Sequence, residues 1–67
     1  MANKISDNIR KLRQKKGMSQ DRLSKKADLA LNTIVKVETG ENLNPTVETL
    51  RKIAKALDIP IGDLFKE

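Results

Sequence analysis

The chain has no cysteine and no histidine among its 67 residues. Without cysteine there is neither a disulfide framework nor a thiolate metal site. Without histidine the commonest general base and the commonest imidazole ligand are both missing. No nucleophile–base pair, metal-ligand cluster or phosphate-binding glycine loop stands in their place, so the sequence does not read as an enzyme and implies no cofactor and no metal. Aromatics are nearly absent as well, Phe65 being the only one. No apolar run approaches the roughly 20 residues that cross a membrane. The opening MANKISDN does not read as a signal peptide. A soluble, cytoplasmic protein is the expectation. Alternation is also missing: β-branched residues fall on helical spacing, and nothing reads as a strand.

Charge is what the chain does have, and it is unevenly placed. Of the net +5, residues 1–26 carry +7 and residues 27–67 carry −2. A basic end on a small domain favours a polyanionic partner. A lysine-rich solvated helix surface would show the same numbers. The length allows one domain, 1–67, and a chain this short buries only about 60% of its unfolded surface.

Periodicity predicts an all-α, compact five-helix domain: four helices and a short fifth. Ile5, Ile9 and Leu12 make one stripe on a helix over 4–16, and Gly17 stops it. Ser19 is a good N-cap for a helix over 20–26, with Leu23 and Ala27 inward and Met18 nearby. The chain must then turn sharply at Asp28, a residue type that tolerates positive φ. A third helix covers 31–39 and ends at Gly40. After Asn44-Pro45-Thr46 a fourth covers 47–57, with Val47, Leu50, Ile53, Ala54 and Leu57 as its buried stripe. Pro60 breaks it, and 61–65 make a last turn.

The third helix carries the chemistry. On a wheel of about 100° per residue, with Ile34 inward, Val37 and Glu38 flank the core side while Asn32 and Lys36 point away. Val35 and Thr39 border that outer face on one side and Thr33 on the other; Leu31 lies near the core edge, and its place in the first turn leaves it room to reach forward. Asn pairs bidentately with adenine, Lys donates to guanine or phosphate, and an aliphatic side chain contacts a thymine methyl. An ordinary surface helix with one Asn and one Lys would also fit this face.

The segment from Gly17 to Phe65 resembles the phage repressor and Cro-like helix-turn-helix family. It carries G-M-S-Q before the second helix, Leu23, the Ala27–Leu29 turn, Asn32-Thr33-Ile34, Glu38, Gly40, Pro45, and T-L-R-K-I-A-K-A-L ending in D-L-F. No one piece is specific; the ordered set is. The resemblance implies that the third helix is a recognition helix, with Leu31, Asn32, Thr33, Val35 and Lys36 toward double-stranded DNA in the major groove. It implies that Gln20 touches phosphate or braces a recognition side chain, and that Arg13 and Glu38 form an ion bridge between the first and third helices. A surface phosphate contact is the other role open to Arg13. Three positions depart from the family's usual pattern. Asp28 stands at the turn often made by glycine, Ala30 stands where a capping Ser or Thr is common, and the loop G-E-N-L-N-P has no Lys or Arg.

Two functions follow. The first is sequence-specific DNA binding as a homodimer, in a small transcriptional repressor or regulator. The second is an antitoxin-like or anti-regulator module that binds another protein, such as a toxin, and touches DNA weakly; the apolar Leu31 and Val35 support it. For the dimer, Ile59, Ile61, Leu64 and Phe65 are more apolar than a final turn needs. Ile61 and Leu64 are expected nearest the two-fold axis, with Phe65 shared between core and interface, unless all four simply close the core.

Overall fold

The computed structural model of the chain describes residues 4–41 and 44–66. Four α-helices run in order: α1 (Lys4–Lys15), α2 (Gln20–Lys26), α3 (Leu31–Thr39) and α4 (Val47–Ala56). The expected fifth helix is not a further α-helix. Ile61–Phe65 is a 3-10 turn opened by Pro60, with the Asp63 amide bonding the Pro60 carbonyl at 3.0 Å. Short segments of this kind are where the tighter i→i+3 bonding is commonly found. Of the loop that lacks Lys and Arg, Asn42 and Leu43 lie outside the described residues.

Local signals set the helix ends. Ser19 caps α2 by accepting from the Arg22 amide at 3.0 Å, and Thr46 caps α4 by accepting from the Thr49 amide at 3.1 Å. Three helix C-termini close in the same way. A left-handed residue follows each (Gly17, Asp28, Asp58), and the apolar residue after it donates its amide back into the last turn. These bonds run from Met18 to Arg13 (3.1 Å), Leu29 to Ser24 (2.9 Å) and Ile59 to Ala54 (3.0 Å). The pattern satisfies carbonyls that the helix leaves open and turns the apolar residue down onto the core. Met18, Leu29 and Ile59 are all half-buried against it.

The core is aliphatic. Ile9 of α1, Leu23 of α2, Ile34 and Val37 of α3, Leu50 and Ile53 of α4, and Leu57 and Leu64 beyond it are closed from solvent or nearly so. Val47 is not part of it: at the first position of α4 it projects past the core and stays 61% exposed. Asn8 of α1 fastens the C-terminal turn, its Nδ2 donating to the carbonyls of Leu64 (2.9 Å) and Lys66 (2.6 Å). The molecule measures 24 × 22 × 21 Å, so α3 has the core behind it and solvent in front.

Candidate nucleic-acid interface

The inner side of α3 fixes its position. Ile34 and Val37 are buried, and so is Glu38, only 2% exposed. A carboxylate in that place needs partners, because an uncompensated buried charge costs several kcal/mol, on the order of 3–5. It has three. Arg13 approaches as a fork, Nε to Oε2 at 2.7 Å and Nη2 to Oε1 at 3.0 Å, and Gln20 Nε2 donates to Oε1 at 3.2 Å. The remaining arm of Arg13, Nη1, donates to the Met18 carbonyl at 2.7 Å. With its side chain 11% exposed, Arg13 has its guanidinium turned inward, not spread on the surface. Glu38 thus ties α3 to α1 and to the start of α2 at once. No buried side-chain N or O among the described residues lacks a partner.

Gln20 braces α3 through Glu38 with one of the two hydrogens on its amide nitrogen. Arg10 adds a tie that the sequence did not suggest. Its Nη1 donates to the Glu38 backbone carbonyl at 3.2 Å, while Nη2 pairs with Asp7 at 2.6 Å. The (i, i+3) spacing signals the Asp7–Arg10 pair within α1 and not the bond to Glu38.

The outer side of α3 is open. Asn32 and Lys36 are exposed, Thr33 and Val35 half-buried, and Leu31 is 44% exposed. Leu31 stands clear of the core because α3 begins there, beyond the last layer of packing. Ala30, the N-cap residue of α3, makes no side-chain cap bond, and Gly40 ends the helix at φ 82°. The turn between α2 and α3 has Asp28 at φ 56°. The result is a short helix, held rigidly by its back, that presents Leu31, Asn32, Val35 and Lys36 on one accessible face.

At the C-terminal end the four apolar residues separate. Leu64 is fully buried within the protomer and has no surface to offer a partner, which removes it from the expected dimer contact: it plugs the core between α1 and α4. Ile59 and Ile61 are half-buried against the core, and Phe65 is 52% exposed. A shallow groove of about 460 Å³ runs beside them, lined by Arg51, Ala54, Lys55, Asp58, Ile59, Pro60 and Ile61. Among the described residues no group of acidic side chains could hold a metal ion, and no helix is long and apolar enough to cross a membrane.

Known proteins are similar to this chain in sequence and in fold. A transcriptional regulator of the helix-turn-helix type from Archaeoglobus fulgidus, itself uncharacterized, is 42% identical over 57 residues, covering 85% of this chain and 80% of its own. The regulator SinR of Bacillus subtilis is 30% identical over 63 residues; this chain spans 57% of SinR's length. The crystal structure of the restriction-modification controller protein C.AhdI from Aeromonas hydrophila superposes with a TM-score of 0.89 at 35% identity, covering 92% of both chains. The helix-turn-helix family profile matches residues 9–64, from the first core residue of α1 to the plug at Leu64. The chain belongs to the helix-turn-helix family of phage repressor and Cro-like DNA-binding domains.

Proposed function

We propose that this protein is a transcription regulator that binds double-stranded DNA sequence-specifically as a homodimer, with α3 in the major groove. The observation that carries the reading is the contrast across α3. A buried carboxylate with three side-chain bonds anchors the inner side, while Asn32 and Lys36 project from the outer side. Asn32 is suited to pair bidentately with an adenine and Lys36 to donate to guanine or phosphate, with Leu31, Thr33 and Val35 beside them. The excess of positive charge in residues 1–26 supplies sequence-independent attraction. The family membership and the relatives named as transcriptional regulators point the same way.

Binding should depend steeply on salt. If about four to six phosphates are neutralised, affinity falls with a log–log slope of roughly −4 to −5. Titration of random and selected duplexes at several salt concentrations measures it; no binding at low salt, or binding indifferent to salt, refutes the proposal.

One domain of this size reaches only half of a two-fold operator, whose halves lie about 34 Å apart. The proposed contact between copies is the C-terminal edge, with Ile61 and Phe65 foremost, Ile59 behind them, and the adjoining groove to receive side chains. Ile61→Lys should leave the monomer folded and abolish cooperative binding to a two-half-site duplex. Sedimentation of the variant with and without DNA checks this, and unchanged cooperativity would place the contact elsewhere. The alternative, a module that docks on another protein such as a toxin, draws support from the exposed Leu31. It requires Leu31 and Val35 to matter for protein capture and not for DNA.

A further inference from the structure

The outward face of α3 is divided lengthwise. Residues four apart form ridges along a helix. One ridge is Asn32–Lys36, polar and exposed. The next is Leu31–Val35–Thr39. Its first member is a large aliphatic side chain 44% exposed, and its second is half-buried. Thr39 belongs with them chemically. Its Oγ1 donates to the Lys36 carbonyl at 3.2 Å and accepts from the Glu41 amide at 3.4 Å, so its hydroxyl is spent within the chain and its methyl is left over.

We infer that this second ridge reads the C5-methyl groups of thymines, making the preferred half-site thymine-bearing along one strand beside the base pair read by Asn32. The inference rests on the DNA-binding reading above. Its logic is chemical. Leu31 and Val35 have no hydrogen-bonding group with which to sort base edges. In the major groove the thymine methyl is the one apolar feature a base pair displays. The ridge lies immediately beside Asn32 and Lys36, so any base pair that meets the polar ridge brings its neighbours against the apolar one. Spacing agrees: residues four apart on a helix are separated by about 6 Å along its axis, close to two steps of about 3.4 Å along a DNA strand. Leu31 and Val35 therefore address thymines roughly two base pairs apart.

Replacing thymine by deoxyuridine deletes the methyl and keeps the base pair and its hydrogen bonds. The experiment selects bound half-sites from random duplexes with the wild-type protein, then replaces each thymine singly by deoxyuridine. One or two of these replacements should weaken wild-type binding by about fourfold, the affinity equivalent of one buried methyl group. Leu31→Ala should bind the thymine duplex more weakly and lose its sensitivity to one of the two replacements; Val35→Ala should lose the other. Selected half-sites without thymine, or tight binding that no deoxyuridine changes, would overturn the inference and leave DNA binding intact. So would sensitivity that persists unaltered in both variants. Failure to bind any duplex at low salt would instead remove the DNA-binding reading, and this inference with it. Because the deoxyuridine series uses wild-type protein, it decides the matter even if a variant folds poorly.

Discussion

The two sides of α3 solve opposite problems with the same nine residues. The inner side must be inflexible. Ile34 and Val37 fill the core, and Glu38 binds Arg13 and Gln20 while its backbone carbonyl takes a bond from Arg10. The outer side must be unoccupied, and there Leu31, Asn32 and Lys36 contribute little to packing. A recognition surface, as proposed for α3, works only if it keeps one geometry while leaving its own side chains free, so the groups that set its position are best separate from those that read the ligand. The cost of the inner side is a buried ion pair. Such pairs are weak sources of stability beside a hydrophobic equivalent, yet breaking one is expensive. Their use here is orientation: a forked carboxylate–guanidinium contact fixes both distance and angle between α1 and α3.

The largest effect should therefore come from the inner side. Glu38→Ala strips Arg13 and Gln20 of a shared acceptor and leaves a nearly buried guanidinium uncompensated. The expected loss is about 3–5 kcal/mol, a large part of the stability of a small domain. Glu41→Ala and Glu48→Ala, at exposed positions, should change stability by no more than about 0.5 kcal/mol. Replacing both Arg13 and Glu38 should cost less than the sum of the two single changes. Denaturant unfolding of the four proteins in that cycle measures the coupling, and additive losses would show that the pair does not act as one unit.

Next comes the outer side, where the effect should appear in binding and not in stability. Asn32→Ala is expected to cost about 1–3 kcal/mol at one base position and relax preference there. Lys36→Ala should weaken binding either at one guanine or uniformly; in the second case it also reduces the salt slope by about one. Both variants should melt within a few degrees of wild type. A collapse of the melting temperature in either would mean that these residues hold the fold together, and the division between the two sides would be lost.

Much of this division was legible beforehand, for identifiable reasons. Helix periodicity with no competing strand pattern in the sequence is a strong signal, so the four α-helices fall within a residue of their expected ends. Glu38 was legible because a charge at a core-facing wheel position demands a partner. What escaped was set by tertiary contact. Asn8 on a polar stretch of α1 looks solvated, yet its partners are carbonyls more than fifty residues away in sequence. Leu64 and Phe65 are equally apolar neighbours, and only the turn of the 3-10 segment sends one into the core and the other out. Asp58 was missed although its setting, Leu57-Asp58-Ile59, repeats the Ala27-Asp28-Leu29 pattern already read as a turn.

That repetition supplies the smallest test, at the turns that deliver α3 and end α4. Gly17 and Gly40 adopt positive φ without a Cβ penalty, whereas Asp28 (φ 56°) and Asp58 (φ 58°) carry one. The left-handed region costs a non-glycine residue roughly 1–2 kcal/mol, less for Asp than for most. Glycine returns about 0.5–1 kcal/mol of that gain through its greater freedom in the unfolded chain. A carboxylate just past a helix C-terminus is also poorly placed against the helix dipole. Against this, Asp28 shares a groove with Lys26, Lys52 and Lys55, and Asp58 lies near Arg51 and Lys55. Such exposed charge pairings are worth only tenths of a kcal/mol, up to about 1 at most. Asp28→Gly and Asp58→Gly should each therefore raise stability by up to about 1 kcal/mol. The two gains should be similar, because the backbone closure at the two sites is the same. Thermal unfolding of both variants reads the result. If Asp28→Gly stabilises as much as Asp58→Gly, the turn before α3 is an ordinary helix ending that happens to be made with aspartate. If Asp28→Gly alone lowers the melting temperature, its carboxylate holds the lysines around that groove, and the support of α3 extends beyond Glu38 to the turn itself.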